Sequence, residues 1–146
     1  MDQLAALFAI ATQLSGLPPL PPGSEPAVWP VTQTQMRALV CREDTRQCNG
    51  LQAIYDTDNH RILVLDWGSR TGTEWESFVI HEYVHALQYA QRGPAIFENC
   101  QASRATEMQA YRVQDAYLRM RGSLLHVGKQ MAWWNCEDQP APAARK

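Results

Sequence analysis

The sequence predicts a single α+β domain in which a small antiparallel sheet packs against several helices. Two β-rich segments, around 53–55 and 62–65, are separated by polar turn-forming residues and predict a β-hairpin. Two further segments, 73–92 and 99–122, carry the start and stop signals of helices. The length supports the same conclusion, because 146 residues can bury one hydrophobic core but hardly two.

The N-terminal segment is predicted to form an amphipathic helix. Its apolar residues recur at helical spacing: Leu4, Leu7, Phe8, Ala11 and Leu14. Asp2 and Gln3 precede this run in place of a basic region, so it makes a poor signal peptide. The proline-rich residues 17–26 cannot continue the helix. Residues 28–41 then favour a strand, or a strand and a short helical turn.

Capping signals set the expected bounds of the later helices. Thr73 and Glu76 predict a capping box, and Gly93-Pro94 predicts the end of that helix. The next helix is expected to begin near Asn99 or Ser103. A final short helix is predicted within 122–136, and the proline- and alanine-rich residues 137–146 are predicted to form a flexible tail of the single domain 1–146.

The pentapeptide HEYVH lies inside the first of these long helices, at residues 81–85. Residues four apart share one helix face, so His81 and His85 can both present an imidazole nitrogen to one metal ion. Glu82 can reach a water that the ion activates and take its proton without binding the ion itself. This arrangement predicts a catalytic Zn²⁺ site that hydrolyses peptide bonds.

A catalytic zinc ion usually has three protein ligands and one open position, so a third ligand is expected elsewhere. Glu107 is the leading candidate, because its helix can fold back against the HEYVH helix after a short loop. Glu98, Asp115 and His126 are the alternatives. Glu98 lies near the turn, Asp115 two helical turns beyond Glu107, and His126 after the glycine that ends the helix.

With HEYVH followed by EMQAY, the sequence resembles the gluzincin branch of the zincin metallopeptidases. The order of its elements in so short a chain is similar to that of the minimal gluzincins, whose function is unknown. The resemblance spans roughly residues 31–120. It implies a zincin-like fold with an N-terminal helix, a small antiparallel sheet with a β-hairpin, the HExxH helix and a glutamate-bearing helix. It also implies that His81, His85 and Glu107 hold the zinc ion and that Glu82 is the catalytic base.

The resemblance extends to Tyr111 and to the strand 61–66. In larger gluzincins the zinc-binding glutamate begins an ExxxD pattern, whose aspartate supports the first histidine. Tyr111 stands at that position here, and its phenol could hydrogen-bond behind the metal, so it is a candidate catalytic residue. The strand 61–66 would lie above the HExxH helix as a sheet edge, where an extended peptide could pair. An oxyanion-stabilising group is also expected, and Tyr111, His60, His126 and Tyr55 stay open for this role.

Four cysteines form an even set without a CxxC pair, which argues against a zinc ribbon or a thioredoxin-like site. Cys41 and Cys48 bracket a short polar segment, so we predict that they pair and that Cys100 pairs with Cys136. Disulfides favour a periplasmic or secreted protein, with a cytoplasmic location left open.

The charge pattern limits the classes of binding partner. A formal charge of −2, with 13 basic and 15 acidic residues and no long block of either sign, argues against nucleic acid and membrane surfaces. The predicted partner is a peptide or protein substrate, and the chain is predicted to be a monomer. The alternative function is a zinc-binding module without proteolytic activity. Glu82 argues against it, because a structural zinc site needs four protein ligands and no neighbouring base. Hydrolysis of a non-peptide amide would use the same residues.

Overall fold

The computed structural model of the chain describes residues 2–41, 48, 50–68 and 72–137. Helices and a small sheet combine in an α+β arrangement, as the sequence predicts. The elements in chain order are α1 (Gln3–Ser15), β1 (Ala27–Val31), α2 (Gln33–Met36), a π-helical turn (Arg37–Cys41), β2 (Ala53–Asp56), β3 (Arg61–Leu65), α3 (Thr73–Arg92), a 3-10 helix (Gly93–Phe97), α4 (Cys100–Met120) and a second 3-10 helix (Val127–Trp133).

Helix α1 forms where the apolar spacing predicts it. The Asp2 carboxylate accepts a hydrogen bond from the Ala5 N–H at 2.9 Å, which satisfies one of the free donors of the first turn. The helix ends at Gly16, whose φ of 69° lies in the left-handed region that glycine adopts without strain. Its buried residues are Leu7, Phe8 and Ala11.

The strands form a mixed sheet in the order β1-β3-β2. β2 and β3 are the predicted antiparallel hairpin, with Ile54 opposite Leu63. β1 pairs with β3 in parallel, with Val28 opposite Ile62. The prediction of an antiparallel sheet is therefore wrong for one of its two pairings. A parallel pairing joins segments that are far apart in the sequence, so no local turn signal announces it.

β3 is the central strand, and the prediction that residues 61–66 form a sheet edge is wrong. Leu63 pairs with Trp29 on one side and with Ile54 on the other. The run ILVL in this strand fits a strand that is covered on both faces. β2 is the edge strand that packs against α3, with the rings of Tyr55 and Tyr89 6.2 Å apart.

Apolar side chains cover both faces of the sheet. On one face, Ile62 and Val64 pack with residues of α1, α3 and α4. The other face is covered by a group that we call the back cluster: Val31, Met36, Cys41, Cys48 and Leu63. Burial on both faces holds the sheet against α3. It therefore sets the position of β2 relative to the HEYVH segment.

Helix α3 has the predicted length but not the predicted N-terminal cap. Gly72 is the N-cap residue and provides no side-chain cap, while Thr73 is already the first helical residue. The capping box of Thr73 and Glu76 is therefore not formed, because the helix begins one residue earlier than such a box requires. The helix ends before Gly93 and Pro94, as predicted.

Helix α4 begins at one of its two predicted starts, where the Asn99 side chain accepts a hydrogen bond from the Ala102 N–H at 2.8 Å. After α4 the chain folds back along this helix. The Asp115 carboxylate accepts hydrogen bonds from the backbone N–H groups of Val127 (2.8 Å) and Gly128 (3.0 Å). The predicted final helix is therefore held on α4 as a 3-10 helix. Of the predicted tail, 137–146, only the first residue is among those described.

Both predicted disulfides are present. Cys41 pairs with Cys48 and Cys100 with Cys136, with Cα–Cα distances of 6.0 and 5.6 Å. They are compatible with an extracellular location. Among the described residues, no helix combines the length and the apolar character needed to cross a membrane.

Candidate metal centre

The HEYVH segment lies in the middle of α3, on the face that packs against α4. The two helices run antiparallel, since the Tyr117 hydroxyl donates to Glu76 near one end and the Gln88 amide donates to the Thr106 carbonyl near the other. This alignment places the two histidines of the motif opposite Glu107. The fold-back of α4 predicted from the sequence is therefore confirmed.

Three candidate ligand atoms converge at this contact. His81 Nε2 lies 3.1 Å from His85 Nε2, and Glu107 Oε1 lies 3.2 Å from the first and 2.5 Å from the second. Ligand atoms held 2.0–2.1 Å from a tetrahedral zinc ion are roughly 3.3 Å apart. Two of the three separations match this value and the third is shorter. The three candidate donors therefore lie near the spacing that one small divalent ion requires.

Glu82 lies beside these donors, and its carboxylate is buried. Its nearest oxygen and the ligand nitrogens of His81 and His85 all lie within 4.8 Å of one another, so a buried His-Glu-His group that could bind a metal ion is present. Burial raises the pKa of Glu82 above its usual value, against the opposing effect of the two histidines. Among the described residues, Oε2 of Glu82 has no hydrogen-bond partner. A buried carboxylate oxygen of this kind needs a donor, which a water or a substrate would supply.

The charges at the centre complement one another. Burial alone would lower the pKa of His85, but the hydrogen bond with Glu107 and the negative charge of Glu82 raise it to about 9. Burial opposes ionisation of Glu107 as well, yet hydrogen bonds from both imidazoles hold the pKa of this carboxyl well below its usual range. The group therefore combines a carboxylate with nitrogen donors that can exchange a proton for a metal ion.

Two buried glutamines hold the far sides of the imidazole rings. Gln114 Oε1 lies 2.9 Å from His81 Nδ1, and Gln88 Oε1 lies 2.8 Å from His85 Nδ1. Both glutamines are fully buried. Neither glutamine is predicted from the sequence as part of the site. Gln88 lies one turn after His85 on the same helix, which is a signal that could have been read, but the partner of His81 comes from another helix.

Tyr111 lies against the first histidine but does not bond to its Nδ1. The ring centroids of Tyr111 and His81 are 4.5 Å apart, at an interplanar angle of 65°. The Tyr111 hydroxyl is hydrogen-bonded to Gln130, and burial together with the charges of Glu107 and Glu82 raises its pKa to about 12. The supporting role expected at this position is therefore taken by Gln114, one turn further along α4.

The alternative ligands lie elsewhere. Glu98 follows the 3-10 helix Gly93–Phe97, where its backbone N–H donates to the Ala95 carbonyl. Asp115 is used to hold the backbone after α4. His126 Nε2 lies 3.2 Å from Asp115 Oδ2, and the His126 side chain is 65% exposed. Among the four candidates for a third ligand, Glu107 is the one whose carboxylate meets both histidines.

Two of the open oxyanion candidates are engaged with each other. The Tyr55 hydroxyl lies 2.7 Å from His60 Nδ1, and His60 Nε2 lies 2.6 Å from the Ser24 carbonyl oxygen. Both nitrogens of His60, which lies in the turn between β2 and β3, therefore have partners, one in β2 and one in the segment before β1. Tyr111 is the tyrosine among these candidates whose ring contacts a histidine of the metal centre.

The centre opens into a cleft of about 680 Å³ between β2 and α3. Its walls include all four residues of β2, from Ala53 to Asp56, together with Glu82, both histidines and Glu107. Its lining is apolar at Leu39, Val40, Leu51 and Phe78 and polar at the turn residues 57–59. The cleft can therefore hold an extended molecule that passes the metal centre.

Comparison with known protein families identifies the family of this chain. The family described as "Domain of unknown function (DUF6647)" matches residues 7–139, so the chain belongs to this family. The matched range includes every residue of the candidate metal centre. No curated protein matches the chain, and no solved structure matches it.

Proposed function

We propose that this protein is a zinc metallopeptidase with a gluzincin-type site. The observation that carries the proposal is the convergence of His81 Nε2, His85 Nε2 and Glu107 Oε1 next to the buried Glu82 carboxylate, inside an open cleft. Three protein donors with one open position is the arrangement of catalytic zinc sites, whereas structural sites are closed by four.

The roles of the residues follow from their positions. His81, His85 and Glu107 would hold the ion. When bound, zinc supplies a Lewis acid that polarises a carbonyl and lowers the pKa of a coordinated water. Glu82 removes a proton from the attacking water and passes it to the nitrogen of the leaving amine as the C–N bond breaks.

The cleft supports a peptide as the substrate. Leu65 N–H donates to the Gln52 carbonyl at 2.9 Å, which marks this facing pair as hydrogen-bonded. Since bonded and non-bonded pairs alternate along an antiparallel ladder, the backbone groups of Ala53 and Tyr55 point away from β3. They lie on the free side of β2, which lines the cleft. An extended peptide that pairs with this edge would pass the metal centre, and main-chain bonds of this kind recognise a peptide with little regard to its sequence.

The test compares the wild type with Glu82→Gln, with zinc content and hydrolysis of an unstructured protein measured on the same samples. Glutamine keeps the shape of the side chain but cannot accept the proton, so we expect zinc content to stay near one ion per chain while the rate falls by about 10²–10⁴-fold. Glu74→Gln, an exposed change on the same helix, is the matched control and should have no effect.

The outcomes separate the proposal from its rivals. A Glu82→Gln protein that hydrolyses the substrate at the wild-type rate would refute the mechanism. A wild type that binds zinc but cleaves no member of a broad peptide library would favour the non-proteolytic zinc-binding module. Glu107→Ala should lose most of the zinc, since two histidines alone hold the ion weakly, and retention of full zinc content would refute the gluzincin-type ligand set.

A further inference from the structure

For the hydrogen bonds at Nδ1 of the two imidazole rings, the donor and the acceptor can be assigned, because each series of bonds ends on an atom that can only accept. Backbone carbonyl oxygens can only accept hydrogen bonds, so any group that contacts one must donate to it. Gln88 Nε2 lies 3.0 Å from the Thr106 carbonyl oxygen. The nitrogen of this amide is thereby fixed as the atom that faces α4, and its oxygen as the atom that faces His85.

The same argument applies to the other ring through one more step. The Ser77 hydroxyl donates its only proton to the Glu74 carbonyl at 2.7 Å. It must therefore accept from the Gln114 amide, whose Nε2 lies 3.1 Å away. Gln114 then presents its oxygen to His81 Nδ1. Neither amide can be turned over without losing one of these bonds.

The orientation of the two amides determines which nitrogen of each imidazole ring carries a proton. An amide oxygen can only accept, so Nδ1 carries a proton in both His81 and His85. In the neutral form of each ring, Nε2 then has the free lone pair. These are the two nitrogen atoms that lie 3.1 Å apart next to Glu107. Two series of hydrogen bonds, which end on the carbonyls of Glu74 and Thr106, thus leave the free lone pair of each neutral ring on Nε2, the nitrogen that lies next to Glu107.

We propose that Gln88 and Gln114 are positioning residues that hold His85 and His81 in the Nδ1–H tautomer and so leave Nε2 free for metal binding, using neutral amides in place of a carboxylate. The inference rests on the proposed zinc site. Both supports are uncharged, so they add no negative charge to that of Glu107 and Glu82 beside the two histidines. The support also links the site to α4, so the metal affinity depends on how α3 and α4 are packed.

The experiment measures zinc affinity by chelator competition in the full chain. Gln114→Met and Gln88→Met keep the approximate shape of the side chain but remove the accepting oxygen. Each should weaken zinc binding by about 10- to 100-fold, as is typical for the loss of a group that orients a ligand. Gln101→Met, an exposed change on α4, is the matched control and should bind zinc like the wild type.

A conservative variant separates positioning from packing. Gln114→Glu keeps an oxygen opposite His81 Nδ1, and the Ser77 hydroxyl can donate to its other oxygen, so zinc affinity should recover to within about threefold of the wild type. The visible spectrum of the Co²⁺-substituted protein provides a second readout. It should match the wild type in Gln114→Glu and differ in Gln114→Met, because the spectrum reports the geometry of the ligands and not the stability of the fold.

The proposal is overturned if both methionine variants bind zinc with wild-type affinity. If Gln114→Met does not fold, Gln114→Glu decides, since loss of zinc affinity in that variant would also overturn it. Failure of the proposed function gives a different result, in which the wild type itself binds no zinc. In that case both proposals are wrong.

Discussion

The candidate metal centre and the back cluster are both largely buried but are held together differently. In the back cluster, Met36 and Cys48 are completely buried among apolar neighbours. At the metal centre, Glu82 and His85 are each 5% exposed, and His85, Gln88 and Gln114 are all tied by directed hydrogen bonds. Apolar burial is non-directional and stabilises the fold, whereas buried polar groups require specific partners and therefore fix positions.

This difference predicts that the free energy of unfolding and the zinc affinity depend on different residues. A change in the back cluster should reduce the free energy of unfolding and leave the metal-binding geometry intact. A change of one hydrogen-bonding atom at the centre should alter zinc affinity, with stability affected less. Mutations in each region, with both quantities measured, test whether the two regions are independent.

The largest expected effect on stability comes from the disulfides. Cys100–Cys136 closes a separation of 36 residues, and its loss through Cys100→Ala/Cys136→Ala should lower the free energy of unfolding by about 4 kcal/mol. Cys41–Cys48 closes a separation of 7 residues, so Cys41→Ala/Cys48→Ala should cost only about 2.5 kcal/mol from the same loop entropy. Denaturant unfolding of both double variants measures the difference. An equal loss in the two would show that chain entropy does not govern these bridges.

Truncation within the back cluster should have the next largest effect. Met36→Ala removes a completely buried side chain and should lower the free energy of unfolding by roughly 3 kcal/mol, within the range known for such substitutions. Zinc stoichiometry and affinity should stay unchanged, because the back cluster contains none of the candidate zinc ligands and neither of the glutamines hydrogen-bonded to the two histidines. The exposed change Leu39→Ala on the adjoining π-helical turn is the control and should cost much less. A Met36→Ala protein with weakened zinc binding would contradict the independence of the two regions.

The smallest expected effect comes from the segment that folds back on α4. A Cβ on Gly128 would lie 2.6 Å from Asp115 Oδ2 and 3.0 Å from Tyr111 Cβ, so Gly128→Ala must displace either this segment or the Asp115 carboxylate that holds it. We expect a loss of about 1–3 kcal/mol in the free energy of unfolding, as for other overpacked sites. Thermal unfolding measures it. An unchanged melting temperature would mean that the segment can shift at no cost.

Local patterns were sufficient to predict the elements and most of the centre. The spacing of His81 and His85 depends only on helix geometry, and the fold-back of α4 needs only a short loop before Asn99. Both disulfide pairings followed from the short segment between Cys41 and Cys48 and the even count. The residues that sequence reasoning selected as zinc ligands meet in the structure, although their metal-binding role stays a prediction.

The sequence by itself determined the helices, the hairpin and the pair of histidines, because each depends on residues within a few positions of one another. Only the tertiary structure decided that β2, and not β3, is the sheet edge at the cleft, since the parallel pairing of β1 with β3 joins distant segments. It also decided that Gln114, and not Tyr111, supports His81. That choice depends on the rotation and height of α4 against α3, which are set by packing over the whole contact and leave no trace in the local pattern.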